Sequence, residues 1–304
     1  MGDIKLFRLQ SGVASEVAVG ALGLEKSLQN LMEANLDTLL GVRFLATEHI
    51  TGKKHGGRID TLGIDENGCP VIIEYKRTLN ENVINQGLFY LDWLLDHKAD
   101  FKFLVLEKYG KDAADSIAWS GTRLLCIARD FTRYDEHAIA QIDRNIELIR
   151  YRRYEQEMLL LDLVNVVTAS TPLATDDVPK LARKHSDAAI SDILDGLSGP
   201  LLDVWEALKV FALSLGDDVQ IKELKLYWAY KRIKNFISAE VRPGKGWVAL
   251  YLKVDPATVE MEPGLTRDVR NVGHWGTGDL EVTVRSLDDL ARVKPLIVRS
   301  YEAS

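Results

Sequence analysis

The sequence predicts an α/β protein whose first half is a mixed-sheet core of the order αβββαβ and whose second half is a smaller α+β domain. Apolar residues at helical spacing in the first forty residues are followed by three separate strand-like runs before the next helical pattern begins. A polar stretch without apolar periodicity later divides the chain. These patterns predict a first domain over 1–167, a linker over 168–188 and a second domain over 189–304.

Length and composition are consistent with two ordinary globular domains, because 304 residues exceed one average domain. No apolar run approaches the roughly 20 residues of a membrane-spanning helix. The first residues also lack a signal-peptide pattern, so we expect a cytoplasmic protein. The net charge of −7 argues against nonspecific coating of nucleic acid, although a local basic patch or a bound metal can override it. Cys69 and Cys126 lie in apolar runs and are expected to be buried, reduced thiols.

The elements of the first half follow from the period of their apolar residues. Leu24, Leu28 and Leu31 recur every three or four residues, which predicts the first helix. A short apolar run at 103–106, by contrast, is interpreted as a strand. The predicted helices cover 21–40, 80–97, 108–117 and 135–143, and the predicted strands cover 42–48, 58–64, 71–76, 103–106, 124–128, 146–151 and 158–164.

The second half begins after the predicted linker, which is rich in Ser, Thr, Ala, Asp and Pro. Ser286 is predicted to be the N-cap of the last helix, because Asp288 and Asp289 fall in its first turn. The remaining predicted elements are a helix over 201–215, at least two strands within 222–260 around a turn at 242–246, and a strand over 280–285 that follows the polar, Gly-rich segment 271–279.

The most informative segment is an apolar hairpin around the turn Asp65-Glu66-Asn67-Gly68. If Gly68 takes the left-handed position of a three-residue loop, residues on the two strands pair when their numbers add to about 134. Asp60 then lies directly across from Glu74, and Lys76 faces the same side of the sheet. We therefore expect two carboxylates and one ammonium group within roughly 5–7 Å of one another.

This cluster favours a metal site. Two carboxylates at so short a distance repel each other unless a cation lies between them. Glu74 also interrupts an otherwise apolar strand. Mg²⁺ prefers oxygen ligands, and it polarises a phosphate and lowers the pKa of a bound water. Lys76 is then placed to hold that water or to stabilise developing charge. The alternative, which spacing alone leaves open, is a surface ion pair between Glu74 and Lys76 on a solvated strand.

The pattern Asp-x₁₃-Glu-x-Lys, on Asp60, Glu74 and Lys76, resembles the signature of the PD-(D/E)XK nuclease superfamily. The longer string GRIDTLGIDENGCPVIIEYKR resembles the nuclease domain of the NucS/EndoMS mismatch endonucleases of archaea and actinobacteria, a match that covers about 20–130. One departure is Ile59, which stands where the superfamily's name has proline. The resemblance implies a restriction-endonuclease-like fold and a metal-dependent endonuclease that acts on DNA with Mg²⁺ or Mn²⁺, commonly as a homodimer.

The same resemblance implies roles for further residues. The backbone carbonyl of Tyr75 would join Asp60 and Glu74 as a metal ligand. Gln86 and Tyr90 form the Q-x-x-x-Y spacing that flanks the active site in RecB-like members; the alternative is that Tyr90 is ordinary core and Gln86 is solvated. An upstream acid often comes from the first helix of the superfamily. Glu25 falls roughly 40° from the centre of the apolar face and Glu33 roughly 120° away, so Glu25 is the candidate, unless it is only a first-turn charge.

Basic residues suggest where nucleic acid would bind. Lys54, Arg58 and Arg77 flank the predicted site along the chain and are expected to contact backbone phosphates, although for Lys54 a solvated loop is an equal alternative. In the second half, residues 221–247 interleave basic and aromatic side chains, which suits a nucleic-acid platform but equally an amphipathic strand pair with its aromatics in the core. The candidates there are Trp228, Lys231, Arg232 and Lys234.

The second half resembles a small domain of unknown function found at the C-terminus of such nuclease-like proteins, sometimes labelled "predicted transport protein"; no activity follows from it. Two functions therefore compete. The first is a Mg²⁺- or Mn²⁺-dependent nuclease, most simply a DNA endonuclease of repair or defence. The second is a non-catalytic nucleic-acid-binding or scaffold protein that has kept the nuclease fold.

Overall fold

The computed structural model contains two six-stranded sheets with helices packed against them. It describes residues 4–20, 25–52, 56–76, 82–155, 157–169, 193–194, 196–197, 199–224, 226–272 and 276–304. The predicted linker lies outside these residues except for its first two positions. The division into domains at 167 and 189 therefore stays a prediction.

The first sheet is mixed, as predicted, and its six strands lie side by side in chain order. They are β3 (Val42–Ile50), β4 (Arg58–Asp65), β5 (Pro70–Lys76), β6 (Arg123–Ala128), β7 (Asn145–Tyr154) and β8 (Met158–Val167). The three central strands β5, β6 and β7 are parallel to one another, and the other neighbouring pairs are antiparallel.

Helices cover both faces of this sheet, because alternate residues of the buried strands point to opposite sides. Along β5, Ile73 and Tyr75 pack with the first two helices, whereas Ile72 packs with the two helices that follow β5. The helices of this half are α1 (Glu25–Ala34), α2 (Leu36–Leu40), α3 (Asn82–Asp96), α4 (Lys98–Asp115) and α5 (Arg133–Ile139). The predicted αβββαβ order is confirmed.

Two predictions of secondary structure were wrong. The helix expected over 21–40 is broken at Asn35 into α1 and α2. The strand expected over 103–106 lies inside α4. Its apolar run does not alternate as in a strand: Phe101 and Val105, four residues apart, are buried, while Phe103 between them is 56% exposed. A helix that buries one stripe and leaves apolar residues on its outer face gives a short run that periodicity cannot distinguish from a strand.

The second sheet is antiparallel throughout, with the order β13-β14-β12-β11-β10-β9. Helices α6 (Pro200–Leu213) and α7 (Leu287–Glu302) pack on it. The predicted N-cap is confirmed, since the Ser286 hydroxyl accepts from the amide of Asp289. The predicted turn also joins two strands, β11 and β12. The strands are β9 (Gln220–Glu223), β10 (Trp228–Lys231), β11 (Asn235–Arg242), β12 (Trp247–Leu252), β13 (Thr266–Asp268) and β14 (Leu280–Val284).

An N-terminal hairpin of β1 (Phe7–Gln10) and β2 (Val13–Glu16) was not predicted. It is exposed on both faces, so its sequence has no buried stripe to reveal it. Both cysteines are buried and free, as expected. Within the described ranges, none of the helices combines the length and apolar character needed to cross a membrane.

The two halves meet at the turn between β4 and β5. The Tyr227 hydroxyl donates to Asn67 Oδ1 (2.9 Å), and Asn235 Nδ2 donates to the same oxygen (2.6 Å). The backbone amide of Asn235 donates to Glu66 Oε2 (2.9 Å), and Lys253 pairs with the other oxygen of that carboxylate.

Beneath this turn lies a chain of buried charges. Arg123 of β6 contacts both Asp65 (3.1 Å) and Glu147 (2.7 Å), and Lys231 of β10 donates to the same Glu147 oxygen (2.8 Å). Burial alone would raise the pKa of Glu147, but Arg123 and Lys231 hold it at about 2. The second sheet therefore supplies a cation to the interior of the first half.

Candidate active site

The β4–β5 hairpin has the predicted register. Thr61 pairs with Ile73 and Ile64 pairs with Pro70, so the numbers add to 134. Beyond the Thr61–Ile73 pair, the cross-strand hydrogen bonds from backbone amides are accepted by side-chain carboxylates. The Asp60 amide donates to Glu74 Oε1 (3.2 Å), and the Tyr75 amide donates to Asp60 Oδ2 (3.0 Å). Asp60 and Glu74 are thereby held beside each other at the end of the ladder.

The surroundings of the Asp60 and Glu74 carboxyl groups favour the protonated, uncharged form of each group. Glu74 is fully buried, and its Oε2 has no hydrogen-bond partner. Burial, followed by the nearby Asp60 carboxylate, raises the pKa of Glu74 to about 9. Burial also raises the pKa of Asp60, although the Tyr75 amide and Lys76 oppose that shift. This pair requires a proton or a cation to be stable.

Lys76 lies two residues beyond Glu74 and only 17% of its side chain is exposed. Its ammonium is 3.6 Å from Glu25 Oε1, at the beginning of α1. Because Glu74 is fully buried, the alternative of a surface ion pair with Lys76 on a solvated strand was wrong. The structure brings together four of the predicted site residues: Asp60, Glu74, Lys76 and Glu25.

Helix α1 carries both acids considered for a role at the site, Glu25 and Glu33, and the two have different partners. Glu33 accepts from the Thr61 hydroxyl (2.6 Å), and Thr61 alternates with Asp60 along β4, so Glu33 lies on the opposite face of the strand. Sequence reasoning missed Gln29, a buried residue whose Nε2 donates to the backbone carbonyl of Asp60 (2.7 Å). Its position one helical turn after Glu25 was the available signal.

Gln86 and Tyr90 contact the beginning of β4. The Tyr90 hydroxyl accepts from the Arg58 amide (3.1 Å) and from Gln86 Nε2 (3.3 Å). A Cβ at Gly57 would lie 2.5 Å from the Tyr90 ring, so only glycine permits this approach. The pair therefore supports the strand segment two residues before Asp60.

The described residues contain no group of three or more His, Cys, Asp or Glu side chains arranged to hold a metal ion. Asp60 and Glu74 nevertheless provide two adjacent carboxylates, one with a buried oxygen that lacks a partner. These donors fit a hard cation, since Mg²⁺ is usually bound by one or two carboxylates together with waters and substrate phosphate.

The structure corrects two of the predicted nucleic-acid contacts in the second half. Trp228 packs against Trp205 in the core, and Lys231 is buried on Glu147, so neither has a surface for a base or a phosphate. Arg232 pairs with Asp218. Lys234 donates to the Thr38 carbonyl, and in the first half Arg58 is exposed. Lys54 and Arg77 lie outside the described residues.

Known proteins resemble this chain in its sequence and in its structure. Residues 190–304 match a family described as "Domain of unknown function (DUF5655)". A Haemophilus influenzae (strain ATCC 51907 / DSM 11121 / KW20 / Rd) protein named "Uncharacterized protein" is 29% identical over 306 residues, covering 98% of this chain and 100% of that one.

Among solved structures, a repair endonuclease from Pyrococcus abyssi aligns over 45% of this chain and 50% of its own, with 21% identity and a TM-score of 0.29. An EndoMS complex with double-stranded DNA aligns over 43% and 47%, with 18% identity and a TM-score of 0.26. The chain thus spans about half the length of these structures.

Proposed function

We propose that this protein is a metal-dependent nuclease that hydrolyses phosphodiester bonds of DNA, as an endonuclease. The observation that carries the proposal is the buried pair of Asp60 and Glu74, in which one Glu74 oxygen has no partner and both carboxyl pKa values are raised. A cation between the carboxylates would remove this electrostatic cost, and their oxygen donors suit Mg²⁺ or Mn²⁺.

Asp60, Glu74 and the backbone carbonyl of Tyr75 would hold the metal ion, which when bound polarises a phosphate and lowers the pKa of a coordinated water. Lys76 supplies the ammonium group that orients the attacking water or stabilises the negative charge developing on the phosphate. Glu25 orients this ammonium from the helix side. Gln86 and Tyr90 support the segment of β4 that carries Asp60.

DNA contacts are proposed for Arg58 and for Lys54 and Arg77, which flank the hairpin in sequence. Their cationic side chains would offset the negative charge that the site itself presents to a polyanion. Cutting both strands of a duplex takes two sites, so we propose that the nuclease acts as a homodimer.

The test is cleavage of linear, nicked, mismatched and single-stranded DNA in Mg²⁺, Mn²⁺ or EDTA. Asp60→Ala and Lys76→Ala are compared with the control Asp92→Ala, which removes an exposed carboxylate from α3. We expect metal-dependent cutting by the wild type and by the control, and a loss of at least about a hundredfold in both site variants. Binding that survives Asp60→Ala, with no cutting of any substrate by the wild type, would refute the nuclease and favour a binding protein.

A further inference from the structure

The residue across from Asp60 on β3 has an unusual backbone. Thr47 pairs with Thr61 and His49 pairs with Ile59, which places Glu48 opposite Asp60. Glu48 has a φ of 52°, in the left-handed region that residues with a Cβ avoid. Such a conformation costs on the order of 1 kcal/mol or more and persists where surrounding contacts impose it.

The Glu48 carboxylate binds two cations from different elements. Lys26 of α1 donates to Oε1 (2.7 Å), and the Arg58 guanidinium contacts Oε2. Lys26 also donates to Gln29 Oε1 (3.1 Å), and Gln29 in turn donates to the Asp60 carbonyl. One carboxylate therefore holds two cations beside the Asp60–Glu74 pair, connected to Asp60 through Gln29.

The two cations remain accessible. Lys26 has 49% of its side chain exposed and Arg58 has 65%, whereas Glu48 beneath them has 25%. Together the three groups carry one net positive charge. The carboxylates of Glu25 and Glu48 both lie close enough to Asp60 to act on its pKa. Without the two cations, the carboxylates at this site would repel an approaching polyanion.

We propose that Lys26 and Arg58, positioned by Glu48, form a subsite for a nucleic-acid backbone phosphate next to the one that is cut. The proposal rests on the proposed nuclease function and adds a defined phosphate contact to it. Arg58 provides a planar fork of donors and Lys26 a point charge, so one phosphate can accept from both. Glu48 fixes the spacing of the two cations and thus reduces the conformational entropy lost when the phosphate binds.

The experiment measures binding of a fluorescent DNA duplex and of a single strand by anisotropy at several salt concentrations. It is done in EDTA, and in Mg²⁺ on an Asp60→Asn background, so that cutting does not interfere. The double variant Lys26→Gln/Arg58→Gln is compared with Lys102→Gln/Arg292→Gln. This control also removes two exposed cations that are each paired with a carboxylate, and so matches the change in net charge.

We expect the site variant to bind roughly tenfold more weakly than the control, with a slope of log K against log salt that is smaller by about 1. The single variant Lys26→Arg, which keeps a cation at this position beside Arg58, should retain most of the wild-type affinity. An affinity and a slope equal to those of the control would overturn the subsite and leave an ion pair that merely fixes α1 to β3. The nuclease itself is judged separately, by the cleavage test of the wild type, and stands if that test shows metal-dependent cutting. Failure to bind either DNA, both by the wild type in EDTA and by Asp60→Asn in Mg²⁺, would overturn both proposals.

Discussion

Replacing Glu74 by Gln should stabilise the metal-free protein at neutral and alkaline pH. Glu74 is buried beside Asp60, and its pKa is raised from an ordinary 4.5 to about 9. The folded state therefore binds one more proton than the unfolded state between these two values. By linkage, the free energy of unfolding of the wild type falls as the pH rises through this window. Gln has no charge to bury, and its amide can donate toward Asp60 where the unpartnered Glu74 oxygen now lies.

The size of the effect follows from the same shift. Each pH unit above 4.5 costs the wild type up to about 1.4 kcal/mol, so at pH 7 the difference from Glu74→Gln reaches about 3 kcal/mol. About one pH unit below 4.5 the difference from this source vanishes, because the carboxyl group is then largely protonated in both states. Groups common to both proteins, such as His49, whose pKa is lowered by burial, cancel in the comparison.

The assay is urea denaturation of wild type and Glu74→Gln in EDTA at pH 5, 7 and 9, followed by far-UV circular dichroism. The difference in unfolding free energy should grow with pH. Added Mg²⁺ should stabilise the wild type and leave the variant nearly unchanged, because the variant has lost a ligand. A difference that is flat with pH, or a variant that is less stable at pH 9 in EDTA, would refute the reasoning that Glu74 is buried at an electrostatic cost.

Two further predictions concern packing and buried charge. Gly57→Ala should lower the free energy of unfolding by about 1–3 kcal/mol, because the new Cβ would overlap the Tyr90 ring. Urea denaturation measures this loss. The matched variant Gly244→Ala, whose Cβ would meet no atom within contact distance, should show a much smaller one. Lys231→Met should cost about 3 kcal/mol in the same assay, because Glu147 would lose one of two buried cationic partners; an unchanged urea midpoint would contradict the assigned ion pair.

Much of the first sheet and the centre of the candidate site could be predicted from the sequence. The turn before Gly68 sets the hairpin register, and the register alone brings Asp60 opposite Glu74. Contacts between distant elements could not be predicted, because periodicity reports only local structure. Lys231 was therefore interpreted as a surface cation, although in the fold it is buried and paired with Glu147 of the first half.

The backbone of Glu48 is a second feature that could not be predicted from the sequence. The sequence predicts a regular strand at this position. Left-handed backbone can be expected from a sequence where Gly, Asn or Asp occurs, and this position has Glu. Its role depends on cations that come from α1 and β4, which only the fold brings together.

The contact between the turn after β4 and the second half is expected to couple the two halves into one cooperative unit. A chain cut within 168–188 and lacking the second half would leave Glu147 without Lys231, and Asn67 without Tyr227 and Asn235. The turn that aligns Asp60 with Glu74 would then lose its external support, and strand alignment is sensitive to a slip of even one residue. Chemical denaturation of the whole protein is thus expected to show one transition, and the second half is expected to reinforce the alignment that the turn gives the β4–β5 hairpin.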